Sequence, residues 1–265
     1  MEQRVIYKGR TALITGASSG IGAAFAAELA ARGCDVVLVA RREARLKDLA
    51  ADLERTHGVQ AHVVVADLSR SDAPGAVHAA TRDLGVHVDV LVNNAGFGGY
   101  GPFSGADAGR DQDMVMVNVA APVALTHRFL PAMVSRGDGI VINVSSAAAF
   151  QPLPYQVVYA ASKAFLQSFS EGLWAENQHT GVRVVACAPA ATDTEYFEVV
   201  GNDREARFGA MRPASGVVTA TLDALDRGAV HTVIGLRWKL TALLPRLLSR
   251  AAMARMTERM TRPQG

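Results

Sequence analysis

A glycine-rich turn between a short apolar run and a helix-forming run places the strongest constraint on the fold of this chain. Residues 11–15 favour a strand, Gly16-Ala-Ser-Ser-Gly-Ile-Gly22 follows at once, residues 23–31 favour a helix, and residues 35–40 favour a second strand. Such a turn lets the backbone approach a pyrophosphate at the helix N-terminus, where N–H groups and the helix dipole favour an anion. The pattern predicts a β–α–β unit that binds a dinucleotide.

The same alternation of strands and helices continues along the chain. Further strands are predicted at 62–66, 88–92, 140–144, 182–188 and 230–234, and further helices at 72–84, at 111–133 with a kink at Pro122, and from Tyr159 through Trp174. Alternating strands and helices predict an α/β, Rossmann-type doubly wound parallel sheet of about seven strands with helices on both faces. Because no repeat or linker-like stretch divides the chain, residues 1–265 are expected to form a single domain.

Charge and cysteine content exclude several classes of protein. The formal net charge is only +2, without a basic stripe in the first two hundred residues, so no nucleic-acid partner is expected. Cys34 and Cys187 are too few for a disulfide framework and are expected to be buried, reduced thiols. The sequence has no apolar run of about 18 residues and no signal-peptide pattern at its start, which predicts a soluble, cytoplasmic protein.

A tyrosine and a lysine four residues apart form the central candidate for chemistry. Tyr159 and Lys163 lie in an apolar, alanine-rich run that predicts a helix, so their side chains project from one face. A nearby ammonium stabilises tyrosinate, and we expect it to lower the pKa of Tyr159 from about 10 towards a value useful in proton transfer. Lys163 is also the only lysine set in apolar sequence, and a buried charge that costs free energy suggests a function.

Polar residues also follow several predicted strands, at the sheet edge where α/β proteins place ligands. Ser146 follows strand 140–144, Asp67-Leu68 follows 62–66, and Asn93-Asn-Ala-Gly96 follows 88–92. Asp67 is suited to accept a hydrogen bond from an adenine amine. The turn after Asn93 is suited to bring the backbone close to a cofactor. Asn118 lies inside a predicted apolar helix, where its amide is equally suited to a packing hydrogen bond.

Two arginines follow the second strand, at the position where NAD-specific proteins of this fold carry an acidic residue. The guanidiniums of Arg41 and Arg42 can pair with a 2′-phosphate in bidentate fashion, which favours NADP(H). The alternative is that one or both arginines start a solvated helix, because Glu43, Arg45, Lys47 and Asp48 follow with surface spacing.

Several separated motifs resemble, in order, those of the single-domain Tyr-x-x-x-Lys branch of the short-chain dehydrogenase/reductase family. They cover about Lys8 to Ile234 and comprise Thr15-Gly-Ala-Ser-Ser-Gly-Ile-Gly22, Asp67, Asn93-Asn-Ala-Gly96, Asn118, Ser146 and Tyr159-x-x-x-Lys163. The resemblance implies that Tyr159 is the catalytic acid/base and that Lys163 holds the nicotinamide ribose. It likewise implies that Ser146 orients the substrate carbonyl and that Asn118 supports a water in a proton relay.

The resemblance further implies an NADP(H)-dependent enzyme that interconverts a small-molecule carbonyl and an alcohol, as a homodimer or homotetramer. The cofactor contacts that it implies are Gly16, Ser18, Ser19, Gly20, Ile21, Gly22, Arg41, Arg42, Asp67, Leu68, Asn93, Ala95, Gly96, Tyr159, Lys163, Pro189, Thr192 and Thr194. One departure is Pro189-Ala-Ala, where the family commonly has Pro-Gly. Alanine there costs free energy only if the backbone needs a positive φ. The histidines lack metal-ligand spacing, so no metal site is predicted.

The segment after the sixth strand and the C-terminus bear on the substrate. Residues 194–213 have the length and composition of a lid, and Tyr196, Phe197 and Met211 suggest an apolar pocket. Residues 94–103 and 150–155 resemble those of ketoacyl and hydroxysteroid reductases, which favours a lipophilic ketone or aldehyde, although their aromatic side chains are equally suited to the core. Tyr155 lacks a lysine four residues on and is a candidate for the pocket wall only.

Residues 236–262 predict an amphipathic, basic helical extension after Pro245. Three interpretations compete: packing on the pocket or a partner subunit, peripheral contact with a membrane, and a solvated end.

A non-catalytic dinucleotide-binding regulator or scaffold is the alternative to an enzyme. The complete set Asn118, Ser146, Tyr159 and Lys163 favours the enzyme, because a binding protein has no physical need for it.

Overall fold

The fold is built on a single parallel β-sheet. A computed structural model describes residues 5–196, 200, 211–233 and 248–263. The strands are β1 (Thr11–Thr15), β2 (Asp35–Ala40), β3 (Ala61–Val65), β4 (Val90–Asn93), β5 (Gly139–Val144), β6 (Val182–Ala188) and β7 (His231–Val233). They pair in the order β3-β2-β1-β4-β5-β6-β7, and every pairing is parallel. The predicted doubly wound sheet of about seven strands is confirmed.

Helices connect the strands and cover both faces of the sheet. They are α1 (Gly20–Ala31), α2 (Glu43–His57), α3 (Ala73–Asp83), α4 (Ala108–Val115), α5 (Ala121–Arg136), α6 (Val157–Glu176), α7 (Ala214–Asp226) and α8 (Arg250–Thr261). Short 3₁₀ turns occur at Phe103–Gly105 and Ala147–Phe150. Of the helices that the structure describes, none combines the length and the apolar character that crossing a membrane requires.

Alternation along the strands divides the core into two layers. Ile14 faces a cluster that contains Phe25 of α1, whereas its neighbour Leu13 faces a cluster that contains Phe129 of α5. Both β1 side chains are fully buried, and each such burial contributes roughly 1.5 to 3 kcal/mol. Because both faces of β1 are apolar, helices must cover both, which is why the sequence shows continuous apolar runs rather than alternation.

The order of the strands creates a crevice above β1 and β4. The chain leaves β1 towards β2 on one side, while β4 lies on the other side, so the loops that follow β1 and β4 diverge there. Asn94 holds the two loops together, since its side-chain amide donates to the carbonyl oxygen of Thr15 at 2.8 Å. This crevice at the carboxyl edge is the position that the fold offers to a ligand.

The predicted helix over 111–133 is continuous but has an irregular turn in its middle, next to the predicted kink at Pro122. α4 ends at Val115, a π-helical turn spans Met116–Ala120, and α5 begins at Ala121. The irregular turn ends two residues before Pro122, which has no N–H to donate to the carbonyl oxygen of Asn118. The irregularity expected at Pro122 therefore takes the form of a π-helical turn that contains Asn118.

Parts of two predicted segments fall outside the described residues. Of the predicted lid 194–213, residues 197–199 and 201–210 are not described, and Phe197 is among them. Of the predicted extension 236–262, the structure describes the part from 248 onward, which contains α8. The end of the seventh predicted strand at Ile234 and the expected helix start after Pro245 also lie outside the described part.

Candidate active site

A cavity of about 660 Å³ opens at the carboxyl edge of the sheet. It gathers residues that are far apart in the sequence, and most of the predicted ones follow a strand or start a helix. The predicted site residues on its wall are Gly16, Ser18, Ser19, Gly20, Ile21, Arg41, Arg42, Asp67, Leu68, Ala95, Gly96, Ser146, Tyr159, Lys163, Pro189, Thr192 and Thr194. Gly22, Asn93 and Asn118 lie behind this wall.

Gly22 and Asn93 support the shape of the site. A Cβ added at Gly22 would lie 2.3 Å from the carbonyl oxygen of Gly16, so only glycine lets α1 start this close to the preceding loop. The amide of Asn93 is buried and donates to Oδ1 of Asn143 at 2.8 Å and to Oγ1 of Thr126 at 3.3 Å. The Asn93 side chain thus joins β4 to β5 and α5, and direct cofactor contacts by Gly22 and Asn93 stay predictions.

Asn118 fastens the loop after β4 to helix α6. Its fully buried amide accepts from the N–H of Phe97 at 3.1 Å and donates to the Phe97 carbonyl oxygen at 3.0 Å. The same Nδ2 donates to Oγ of Ser162 at 3.0 Å, and Ser162 donates to the carbonyl oxygen of Tyr159 at 2.7 Å. Asn118 therefore positions the backbone that carries Tyr159, from within a π-helical turn of the kind often found at functional sites.

Lys163 is buried beside the end of β5. Its side chain is on α6, and Nζ donates to the carbonyl oxygen of Val144 at 2.8 Å. Nζ lies 5.9 Å from the centroid of the Tyr159 ring. Burial lowers the pKa of Lys163 to about 8, because the ammonium has lost most of its water. The side chain is still mostly charged at pH 7, so it can stabilise an anion in the cavity.

The hydroxyls of Ser146 and Tyr196 lie within hydrogen-bonding reach of the Tyr159 hydroxyl. Burial raises the pKa of Tyr159, while these two hydrogen bonds lower it, and the net direction is upward. The predicted lowering of the Tyr159 pKa by Lys163 is therefore wrong, because the largest effect on this pKa is the desolvation that burial imposes on the phenolate. Ser146 also accepts from the N–H of Ala148 at 3.1 Å, which fixes its side chain at the turn after β5.

Two arginines and two serines form an anion site at the other end of the cavity. Nη2 of Arg42 donates to Oγ of Ser19 at 2.7 Å and to Oγ of Ser18 at 2.9 Å. Nη1 of Arg42 binds Glu195 at 2.7 Å, and Arg45 binds the second oxygen of the same carboxylate. Hydrogen bonds from Arg42 and then Arg45 lower the pKa of Glu195 to about 2. The guanidinium of Arg42 thus turns back to the glycine loop and is not simply solvated.

Arg41 is exposed and lines the same end of the cavity. Arg45 was not predicted as a site residue, although its spacing of three from Arg42 on a predicted helix places both on one face. Glu195 was also missed, since no local pattern relates it to residues about 150 positions earlier.

Asp67 lies on the cavity wall, where its Oδ1 accepts a hydrogen bond from the N–H of Ser69 at 3.1 Å.

The start of α1 is built to take an anion. Ser19 precedes the helix, and among the described residues its side chain makes no capping hydrogen bond to the helix N-terminus. Gly16 has a φ of +66°, and a Cβ there would lie 2.9 Å from Cα of Ala95. A helix N-terminus without a side-chain cap and a closely approaching glycine loop therefore line the cavity, which fits the pyrophosphate of a dinucleotide.

The loop after β6 tolerates its departure from the family pattern. Tyr155 is the only non-glycine residue of the described chain with a positive φ, so Ala190 and Ala191 have ordinary backbone angles. The hydroxyl of Thr192 donates to the carbonyl oxygen of Ala190 at 2.9 Å. Thr194 packs on the glycine loop, since a Cβ at Gly20 would lie 2.9 Å from its Cγ2. Both threonine side chains shape the loop.

Helix α8 forms the outer wall at the substrate end. The residues that it contributes to the cavity are Met256, Thr257, Met260 and Thr261. Tyr155 lies behind this wall rather than in it, and its hydroxyl donates to Oε1 of Glu258 at 3.0 Å. The Tyr100 hydroxyl donates to the carbonyl oxygen of Thr261 at 2.5 Å. Of the three interpretations of the C-terminus, the described part supports packing on the pocket.

Comparisons with known proteins agree with this geometry. Residues 10–205 match the family model for short chain dehydrogenases. A short-chain dehydrogenase from Sphingobium yanoikuyae in complex with NADPH is 35% identical, with a TM-score of 0.82 over 89% of this chain and 93% of that one. A bulky-bulky ketone specific alcohol dehydrogenase from Comamonas testosteroni is 32% identical, with a TM-score of 0.77 over 89% and 92% of the two chains.

The curated relatives are longer than this chain. A very-long-chain 3-oxoacyl-CoA reductase from Anas platyrhynchos is 36% identical over 196 residues, which are 72% of this chain and 62% of the relative. The chain spans about three fifths of the length of the first curated relatives that it matches. With the strand order, the glycine loop and the Ser146, Tyr159 and Lys163 cluster, these matches show that the chain belongs to the short-chain dehydrogenase/reductase family of oxidoreductases.

Proposed function

We propose that this protein is an NADP(H)-dependent enzyme that interconverts a lipophilic ketone or aldehyde and the corresponding alcohol, with Tyr159 as the acid/base. The observation that carries the proposal is the position of the Tyr159 hydroxyl. This hydroxyl lies within hydrogen-bonding reach of Ser146 and beside buried Lys163, in the same cavity as the anion site at Arg42.

The chemistry follows from where charge develops. When bound, NADPH supplies a hydride to the carbonyl carbon, and negative charge then builds on the carbonyl oxygen. The hydroxyls of Ser146 and Tyr159 donate hydrogen bonds to that oxygen, and this stabilisation is greatest in the transition state. Tyr159 then gives its proton to the oxygen, which completes the alcohol and leaves tyrosinate. Oxidation of an alcohol runs through the same groups in reverse.

Lys163 supports the step in which Tyr159 becomes an anion. Its ammonium, with a pKa of about 8, is mostly protonated at neutral pH and stabilises tyrosinate once the proton has left. Asn118 holds the Phe97 backbone and Ser162, so the structure favours a positioning role for it. Its support of a water in a proton relay stays a prediction.

Preference for NADP(H) rests on the arginines. A guanidinium fork pairs with phosphate oxygens in bidentate fashion, and Arg42 already contacts two serine hydroxyls next to Arg45. No acidic side chain follows β2 at positions 41 and 42 to accept the ribose hydroxyls. The NADPH complex of the Sphingobium yanoikuyae relative supports the same choice.

The substrate end of the cavity favours an apolar ketone with bulk on both sides. Leu153, Met256 and Met260 line it, and methionine side chains adapt to irregular ligands. The specificity of the Comamonas testosteroni relative for bulky-bulky ketones supports this class. Assembly as a homodimer or homotetramer and a cytoplasmic location stay predictions.

A panel of ketones graded by bulk tests the proposal. The purified protein is mixed with NADPH or NADH, and loss of the reduced cofactor is followed spectroscopically beside direct titration of cofactor binding. Turnover of lipophilic ketones with NADPH, and slower turnover with NADH, is expected. Binding of NADPH without turnover of any ketone, aldehyde or alcohol would support the non-catalytic regulator or scaffold instead.

A further inference from the structure

Three consecutive residues after β6 reach both ends of the cavity. The carboxylate of Glu195 pairs with Arg42 and Arg45, while the hydroxyl of the next residue, Tyr196, lies within hydrogen-bonding reach of the Tyr159 hydroxyl. The rings of Tyr159 and Tyr196 lie 5.4 Å apart. The preceding residue, Thr194, packs against Gly20 so closely that a Cβ added at Gly20 would clash with its methyl group. Glu195 is therefore held between two fixed neighbours, with its carboxylate over the arginines.

The Glu195 carboxylate has the contacts of a bound anion. One oxygen is 2.7 Å from Nη1 of Arg42, and the other binds Arg45. Nη2 of Arg42 simultaneously contacts Ser18 and Ser19 on the glycine loop. A guanidinium fork accepts carboxylate and phosphate oxygens in the same geometry. The contacts of Glu195 are thus those that a phosphate on the adenosine ribose needs.

We propose that Glu195 is a cofactor-selectivity residue, an internal anion that competes with the 2′-phosphate of NADP(H) for Arg42 and Arg45. This inference rests on the proposed function. The competition weakens NADPH binding, because the phosphate must displace a carboxylate that its neighbours hold at a high local concentration. NADH carries no 2′-phosphate, so its binding does not require that displacement.

Neutralising Glu195 separates this role from a structural one. The probes are adenosine 2′,5′-bisphosphate and adenosine 5′-phosphate, which differ in the 2′-phosphate and carry no nicotinamide. Both are titrated by calorimetry into the unchanged protein, Glu195→Gln and Glu43→Gln. Glu43 is the matched control, since it is a nearby carboxylate on α2 that pairs with Lys47 at 2.7 Å.

In Glu195→Gln we expect adenosine 2′,5′-bisphosphate to bind about two- to thirtyfold more tightly, the range set by the two exposed ion pairs that Glu195 makes with Arg42 and Arg45. The affinity for adenosine 5′-phosphate should not change, and Glu43→Gln should resemble the unchanged protein with both probes. NADPH titrated into the same three proteins should follow the bisphosphate.

Other outcomes overturn the inference in distinguishable ways. Unchanged or weaker bisphosphate binding in Glu195→Gln means that Glu195 orients the arginines for the phosphate and does not compete with it. Equal tightening in Glu43→Gln means that overall charge, and no specific contact, is responsible. If the unchanged protein binds neither NADPH nor the bisphosphate, the proposed cofactor itself is wrong and the inference falls with it.

Discussion

The Nζ atom of Lys163 donates a hydrogen bond at 2.8 Å to the carbonyl oxygen of Val144, the last residue of β5. The bond joins α6 to the edge of the sheet at the point where the cavity begins. It satisfies one of three ammonium donors and leaves the charge in a poorly hydrated place. The Lys163 ammonium therefore serves the cavity, while its burial lowers the stability of the folded protein.

The cost predicts how stability depends on pH. Lys163 has a pKa of about 8 when folded and an ordinary value of 10.5. Between these values the unfolded chain binds more protons, so the free energy of unfolding rises with pH through that window. Lys163→Met, measured by urea unfolding, should therefore stabilise the protein most at pH 7, by up to roughly 3 kcal/mol, and less at pH 10.

The control for that experiment is Lys8→Met, which changes an exposed lysine. Its effect on the free energy of unfolding should be small at both pH values. If Lys163→Met changes stability equally at pH 7 and pH 10, the ammonium is not the source of the cost.

Replacement of Tyr159 by phenylalanine tests the acid/base. The variant loses one hydroxyl that matters more in the transition state than in cofactor binding, so kcat should fall by at least about a hundredfold. The affinity for NADPH, measured by fluorescence titration, should change little. Substantial residual turnover of a ketone would contradict the assignment.

Replacement of each arginine after β2 tests cofactor choice. Arg41→Ala and Arg42→Ala should both weaken NADPH more than NADH. The larger loss, about tenfold to a hundredfold, is expected for Arg42, because its guanidinium makes the charged hydrogen bonds to Ser18 and Ser19. Equal losses for both cofactors, measured as dissociation constants, would show that neither side chain meets the 2′-phosphate.

A methyl group at Gly96 should disturb the catalytic cluster. The added Cβ would lie 3.0 Å from Oδ1 of Asn118 and 3.1 Å from Nζ of Lys163. Gly96→Ala is therefore expected to lower both kcat and NADPH affinity. Gly105→Ala is the control, since no described atom lies within 4 Å of its added Cβ, and turnover there should be unchanged. Normal kinetics in Gly96→Ala would show that Asn118 and Lys163 can shift without cost.

Weakening the packing of α8 should change the kinetics of bulky substrates and leave those of small substrates unchanged. Tyr155→Phe removes the hydrogen bond to Glu258, and a chain cut before Pro245 removes the whole wall. We expect both to alter KM for bulky ketones and to preserve turnover of a small, soluble carbonyl compound. If a truncated chain folds but no longer reduces the small substrate, α8 has a role in the chemistry. Salt-sensitive binding to anionic liposomes that truncation removes would favour a membrane contact instead.

Local patterns in the sequence were sufficient for the sheet and for most of the cavity wall. The glycine loop, Ser146 and the Tyr159 to Lys163 spacing each lie within a few residues of a strand end or a helix start, so their positions follow from the fold class. Contacts between distant segments were not predictable in this way. Tyr155 and Glu258 are 103 residues apart, and Arg42 and Glu195 are 153 apart.

The direction of the pKa shift at Tyr159 shows a second limit. Sequence spacing places Lys163 near the tyrosine, but it does not show how much water the phenol loses. Burial proved the larger effect. The π-helical turn at Asn118 is similar, since a helix with one extra residue in a turn has no signature in apolar periodicity.

Helix α8 covers one end of a cavity whose other end is built without it. Arg42, Glu195 and the hydroxyl of Tyr159 belong to residues up to 196, and the last described strand ends at Val233, whereas α8 begins at Arg250. A chain in which the sheet is folded but α8 is displaced therefore keeps the residues of the dinucleotide end in place. A dinucleotide that binds only the folded sheet would stabilise such a partly open chain by mass action, while the substrate end is exposed to water.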